Sequence, residues 1–102
     1  MTLAELSIWP MDKGESVGTY VARCLDIIDR SGLPYKLGPL GTCIEGEFDQ
    51  VMRVVADCHK ALQNDCNRIY CIVKMDYRKG HPNMIEAKIE SVEKKLGREL
   101  RK

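Results

Sequence analysis

The chain has 102 residues, room for one domain with a single core and not for two. Sixteen Lys and Arg against 15 Asp and Glu leave no charge excess to recruit nucleic acid or an anionic membrane surface. No apolar run approaches the roughly 20 residues that span a bilayer, and Met1–Glu5 lacks the basic-then-apolar pattern of a secretory signal, so a cytoplasmic protein is expected.

The first element expected is a half-buried strand over residues 2–9. Ala4, Leu6 and Ile8 fall on one face and Leu3, Glu5, Ser7 and Trp9 on the other, with Pro10 closing it. After the loop Met11–Glu15, Ser16 is read as the N-cap of a helix carrying Val17, Val21, Cys24 and Ile28 at helical spacing. Gly32 and Pro34 stop it. Tyr35–Leu37 form a short strand, and Gly38-Pro39-Leu40-Gly41 turns the chain into a third strand over 42–47.

Asp49 is read as the cap of a second helix, with Val51, Val54, Val55, Cys58 and Leu62 as its apolar face. Residues 68–77 alternate most regularly: Ile69, Cys71, Val73 and Met75 on one side, Tyr70, Ile72, Lys74 and Asp76 on the other. Asn83 and Glu86 have capping-box spacing ahead of a third helix with Ile85, Ile89, Val92 and Leu96, ended by Gly97.

This order, β-α-β-β-α-β plus a C-terminal helix, is the α+β ferredoxin-like split βαβ pattern, here one domain over residues 1–102. It implies a four-stranded antiparallel sheet with two helices on one face. The other face is then expected to be open, bearing Leu3, Glu5, Ser7 and Trp9, then Cys43, Glu45 and Glu47, then Tyr70, Ile72, Lys74 and Asp76. The first strand should lie between the third and fourth, placing Glu5 and Ser7 between Glu45 and Lys74. Apolar residues mixed with carboxylates there favour a contact surface over a solvated one. Cross-strand ion pairs alone would contribute only about 0.2–1 kcal/mol each.

Other chemistries find little support. The five cysteines, Cys24, Cys43, Cys58, Cys66 and Cys71, are odd in number and lack C-x-x-C spacing; Cys24, Cys58 and Cys71 fall on apolar faces, so free thiols are expected. Cys58 and His59 diverge on a helix, so no metal is expected there. No nucleophile–base set has interpretable spacing. An acylphosphatase-type site would need an arginine in the first loop, which offers only Lys13. An RNA-binding sheet would need a basic surround for Trp9 and Tyr70.

Several segments resemble the small thiamine-binding protein family. They are Ala4-Glu5-Leu6-Ser7-Ile8-Trp9-Pro10, Ser16 with Tyr20-Val21-Ala22, Arg68-Ile69-Tyr70 with Lys74-Met75-Asp76, and Lys88-Ile89-Glu90-Ser91-Val92. The most specific is P-x-G-T-x-I-E-G over Pro39–Gly46. The resemblance runs from about residue 4 to residue 97. It implies a homotetramer that binds thiamine or its hydroxymethylpyrimidine part as a small-molecule ligand, without catalysis and without a resident cofactor. On that reading Glu45 is the principal polar anchor and Glu47 a lesser one. Thr42 supplies a hydroxyl, Trp9 or Tyr20 an aromatic face, and Lys74 lines the surroundings. A regulatory or structural oligomer without a vitamin ligand is the rival reading.

Overall fold

The computed structural model describes all 102 residues. The elements are β1 (Thr2–Pro10), α1 (Gly18–Arg30), β2 (Tyr35–Leu37), β3 (Thr42–Gly46), α2 (Phe48–Gln63), β4 (Ile69–Tyr77) and α3 (Met84–Leu96). The strands form one antiparallel sheet in the order β2-β3-β1-β4. This is the α+β ferredoxin-like fold the element order predicted, with β1 between β3 and β4.

Two-residue periodicity puts Ala4, Leu6, Ile8 and Ile44 on the face covered by α1 and α2, and all four are buried. Against them pack Cys24 and Ile28 of α1 and Val51, Val54, Val55, Cys58 and Leu62 of α2, forming one core. The helices meet this face because their apolar residues recur every third or fourth position. Arg23 ties α1 to the end of α2, donating to both carboxylate oxygens of Asp65 at 2.8 and 3.1 Å and to the Ala61 carbonyl at 3.2 Å. Met75, expected under the helices, lies beyond them and is 37% exposed.

Two helix starts differ from the sequence reading, and the third begins after Asn83 as expected but without the expected side-chain cap. Helix α1 begins two residues after Ser16, because the Val17 carbonyl receives the first helical bonds, from Tyr20 and Val21 N–H at 3.0 Å each. Helix α2 begins with Glu47, not Asp49, at the N-cap: Gln50 Oε1 accepts the Glu47 N–H at 3.0 Å in a capping box, leaving Asp49 in the first turn. At α3, Asn83 is left-handed, with φ 58°, and its side chain caps nothing.

The far face is not fully open. Helix α3 lies over the end of it that carries Glu45 and Asp76, where Lys88 Nζ meets the Asp76 carboxylate at 2.6 Å. The other end, with Trp9, Tyr70 and Ile72, stays uncovered; Tyr70 and Ile72 are 45% and 57% exposed.

Candidate functional site

The segment Gly38–Gly46 organises three separate parts of the molecule, and its residue types follow from what each must fit. The turn closes with Gly38 N–H donating to the Gly41 carbonyl at 2.8 Å. A Cβ on Gly38 would stand 2.8 Å from that same oxygen, so no side chain is accommodated. Gly41 presses onto β1: a Cβ there would lie 3.2 Å from both Glu5 Cγ and the Leu6 carbonyl oxygen. Ser7 Oγ fastens the turn by donating to the Leu40 carbonyl at 3.0 Å.

Beside this turn lies a cleft of about 200 Å³ between α1 and β1, walled by Val21, Leu25, Pro39, Leu40 and Thr42, with Cys24 in its lining. The cleft exists because β3 ends early. Pairing of β1 with β3 stops at Leu6–Thr42, while pairing with β4 continues to Pro10. The β3-side edge of Ser7–Trp9 therefore has no strand partner and faces the cleft, which Ser7, Ile8 and Trp9 also line.

Further along the segment, Ile44 enters the core and Glu45 points to the opposite face. Strand period alone places Glu45 away from α1 and α2, as expected, but α3 covers it, leaving it 2% exposed. Its Oε2 accepts the Met84 N–H at 2.8 Å and its Oε1 the Ile85 N–H at 3.4 Å. Those are unpaired donors of the first turn of α3, where a carboxylate also meets the positive end of the helix dipole. The sheet thus supplies the cap that left-handed Asn83 does not. Gly46 then lets α2 close in: a Cβ would meet Leu33 Cδ2 at 3.2 Å and Gln50 Oε1 at 3.3 Å.

The six residues singled out in the sequence do not converge in one protomer. Thr42 and Trp9 both line the cleft, Thr42 from the helix-covered face of the sheet, where it pairs with Leu6. Glu45 lies under α3. Glu47 is corrected from an open-face strand residue to the α2 N-cap, since the strand ends at Gly46. Tyr20 packs on the core from α1, with the Arg23 guanidinium 5.2 Å from its ring centre.

Lys74 does not face Glu45. The register sets Glu5 between Cys43 and Lys74, and Leu3 between Glu45 and Asp76, one step from the expected alignment. Lys74 Nζ approaches Glu5 at 3.7 Å across the exposed face. Trp9 stacks obliquely on Tyr70, ring centres 5.9 Å apart, and the Arg68 guanidinium lies 5.4 Å from the Tyr70 ring centre. The cleft itself was missed in the sequence; its one signal was β1 being longer than β3, which periodicity did show.

The sequence profile of the family described as thiamine-binding protein matches residues 4–93. The chain belongs to that family. It is 32% identical over 90 residues to the UPF0045 protein MJ1052 of Methanocaldococcus jannaschii, covering 88% of this chain and 90% of that one. It is also 32% identical over 102 residues to the UPF0045 protein YqgV of Bacillus subtilis, covering 94% and 98%. The crystal structure of MJ1052 superposes with a TM-score of 0.83 over 89% of this chain and 94% of that one. A Thermotoga maritima protein, TM0486, described as a candidate thiamine biosynthesis/salvage protein, shares the fold at 24% identity and a TM-score of 0.79, over 89% of this chain and 97% of that one.

Proposed function

We propose that this chain binds thiamine, or its hydroxymethylpyrimidine part, without catalysing a reaction on it, as a cytoplasmic homotetramer. The observation that carries the reading is the unpaired β1 edge at Ser7–Trp9 opening into an apolar cleft, in a chain of the thiamine-binding protein family. An aminopyrimidine presents a donor beside an acceptor. A free strand edge presents the complementary row of carbonyl and N–H groups. Val21, Leu25 and Pro39 offer the ring apolar walls, and the Thr42 hydroxyl is within the lining.

The cleft, at about 200 Å³, is smaller than pockets that hold drug-sized ligands. One ring enters and the other stays outside. For thiamine the outer ring is the cationic thiazolium. Glu5, beside Gly41 and only loosely paired with Lys74, is the carboxylate we assign to offset it. Glu45 becomes a direct anchor only if a ligand displaces the Met84 and Ile85 amides; in the protomer it anchors α3.

The uncovered Trp9, Tyr70 and Ile72 support association through the sheet face, since contiguous exposed apolar surface marks contact sites. Calorimetry with thiamine, its phosphates and hydroxymethylpyrimidine tests the binding. Saturable heat with at least one is expected. No heat with any of them overturns the reading in favour of an oligomer without a vitamin ligand.

A further inference from the structure

All five cysteines are free thiols, and two of them are placed against each other. Cys24 of α1 and Cys58 of α2 meet where the two helices cross, both fully buried. Cys58 Sγ lies 3.6 Å from the Cys24 carbonyl oxygen, and Cys24 Sγ lies 4.0 Å from the Cys58 carbonyl oxygen. Each sulfur therefore reaches the backbone of the other residue. Small side chains at both positions let the helices approach this closely. Cys24, 1% exposed, forms part of the wall of the cleft beside β1, whereas Cys58, 0% exposed, does not line it.

We propose that Cys24 and Cys58 form a peroxide-sensitive thiol pair, with Cys24 the residue attacked through the cleft and Cys58 the resolving thiol that closes a disulfide between α1 and α2. Hydrogen peroxide is small enough to enter a cleft of about 200 Å³. The Cys24 sulfur attacks one peroxide oxygen, the O–O bond breaks, and water leaves carrying the thiol proton; Cys24 becomes a sulfenic acid. The Cys58 sulfur then attacks the Cys24 sulfur, the S–O bond breaks, and a second water leaves with the Cys58 proton. Two thiols lose two electrons, and one peroxide gains them.

The electrostatics favour this order of events. The neighbouring Cys58 side chain holds Cys24 below the ordinary thiol range, and Cys58 is pushed up by the same contact and by burial. Cys43, Cys66 and Cys71 are all pushed up, chiefly by burial. Cys24 is thus the one thiol of the five held below its ordinary range, the direction that favours attack by sulfur.

The test uses the whole wild-type protein, treated with dilute hydrogen peroxide and then alkylated in denaturant. The expected result is a chain lighter by two hydrogens before alkylation. Cys24 and Cys58 should be joined in one peptide, with Cys43, Cys66 and Cys71 alkylated. In Cys58→Ala, dimedone present during oxidation should label Cys24. Full alkylation of all five cysteines after peroxide, or a first disulfide joining any other pair, overturns the proposal. The wild-type peptide map decides the matter if the variant does not fold.

Discussion

Glu45, in the middle of the sheet, holds the first turn of α3 through Met84. Its Oε2 lies 2.8 Å from the Met84 nitrogen, across 39 residues of sequence, and both residues are buried. The two carboxylates of Glu45-Gly46-Glu47 therefore have different duties. Glu45 caps the helix that packs over the sheet, and Glu47 sits at the start of the helix on the other side. Gly46 between them leaves room for Leu33 and Gln50 to pack against the strand end.

Glu45→Ala should loosen α3 and leave the rest of the fold in place. Two amide donors lose their acceptor, at a cost of about 1–3 kcal/mol. For a domain of this size each kcal/mol lowers the melting temperature by about 4–8 °C. Glu45→Gln keeps one acceptor oxygen and loses the charge at the helix N-terminus, so the smaller cost of about 0.3–2 kcal/mol is expected. Amide exchange checks this directly. Met84 and Ile85 should lose protection in both variants while the β1 and β4 amides keep theirs. Unchanged protection at Met84 would show that the helix does not depend on the carboxylate.

The fold was readable because its signals are local and periodic. Ala4, Leu6 and Ile8 alternate, Val51, Val54, Val55, Cys58 and Leu62 stripe one helix, and these residues are the observed core. The site was less readable because its parts are joined by tertiary contacts. Period two gave Glu45 its face, but nothing near Glu45 or Asn83 in sequence announces that one caps the other's helix. Glu47 was misplaced by a single residue, enough to turn a strand carboxylate into a cap. The cleft depends on a difference in strand length, which acquires meaning only when the register is known.

Stability should fall at low pH. Backbone donors from Asn67 and Arg68 hold Asp12 below its ordinary range, Arg23 does the same for Asp65, Lys88 for Asp76, and Lys102 with the Leu100 amide for Glu93. A carboxyl whose pKa is lower folded than unfolded contributes stability above its unfolded value, near 4. That contribution is lost as pH falls through the folded value. The melting temperature should be level between about pH 5 and 7 and decline below about pH 4. Asp65→Asn, which leaves Arg23 without its charged partner, should lower the plateau and reduce the decline. An identical decline in that variant would remove Asp65 from the account.

Ile72→Asp should split the proposed assembly. Ile72 is 57% exposed in the middle of β4, next to Tyr70 and across from Ser7. A monomer tolerates a charge at such a position, whereas burying an unpaired carboxylate in an interface is costly. Light scattering should give a tetramer for the wild type and a smaller species for the variant, with unchanged circular dichroism. A wild-type monomer at micromolar concentration would contradict the association, and an intact Ile72→Asp tetramer would place the interface elsewhere.

Two further substitutions separate the shape of the cleft from its chemistry. Gly41→Ala adds a carbon 3.2 Å from the Leu6 carbonyl oxygen and Glu5 Cγ. Glu5 can swing aside, being half exposed, but the β1 backbone cannot, so the turn must lift off the strand. Overpacking of this kind costs about 1–3 kcal/mol. It should also abolish ligand heat, because the Pro39–Leu40 wall moves with the turn. Thr42→Val conserves volume and removes one hydroxyl from the lining, so the fold should be unaffected. One neutral hydrogen bond is worth about 0.5–1.5 kcal/mol, which corresponds to an affinity loss of about 2- to 13-fold. Calorimetry with hydroxymethylpyrimidine alone isolates the ring assigned to the cleft. If Gly41→Ala binds it like wild type, the pyrimidine sits elsewhere. If Gly41→Ala fails while Thr42→Val binds like wild type, the cleft holds the ring through its walls and the β1 edge, and the threonine serves only to close the end of β3.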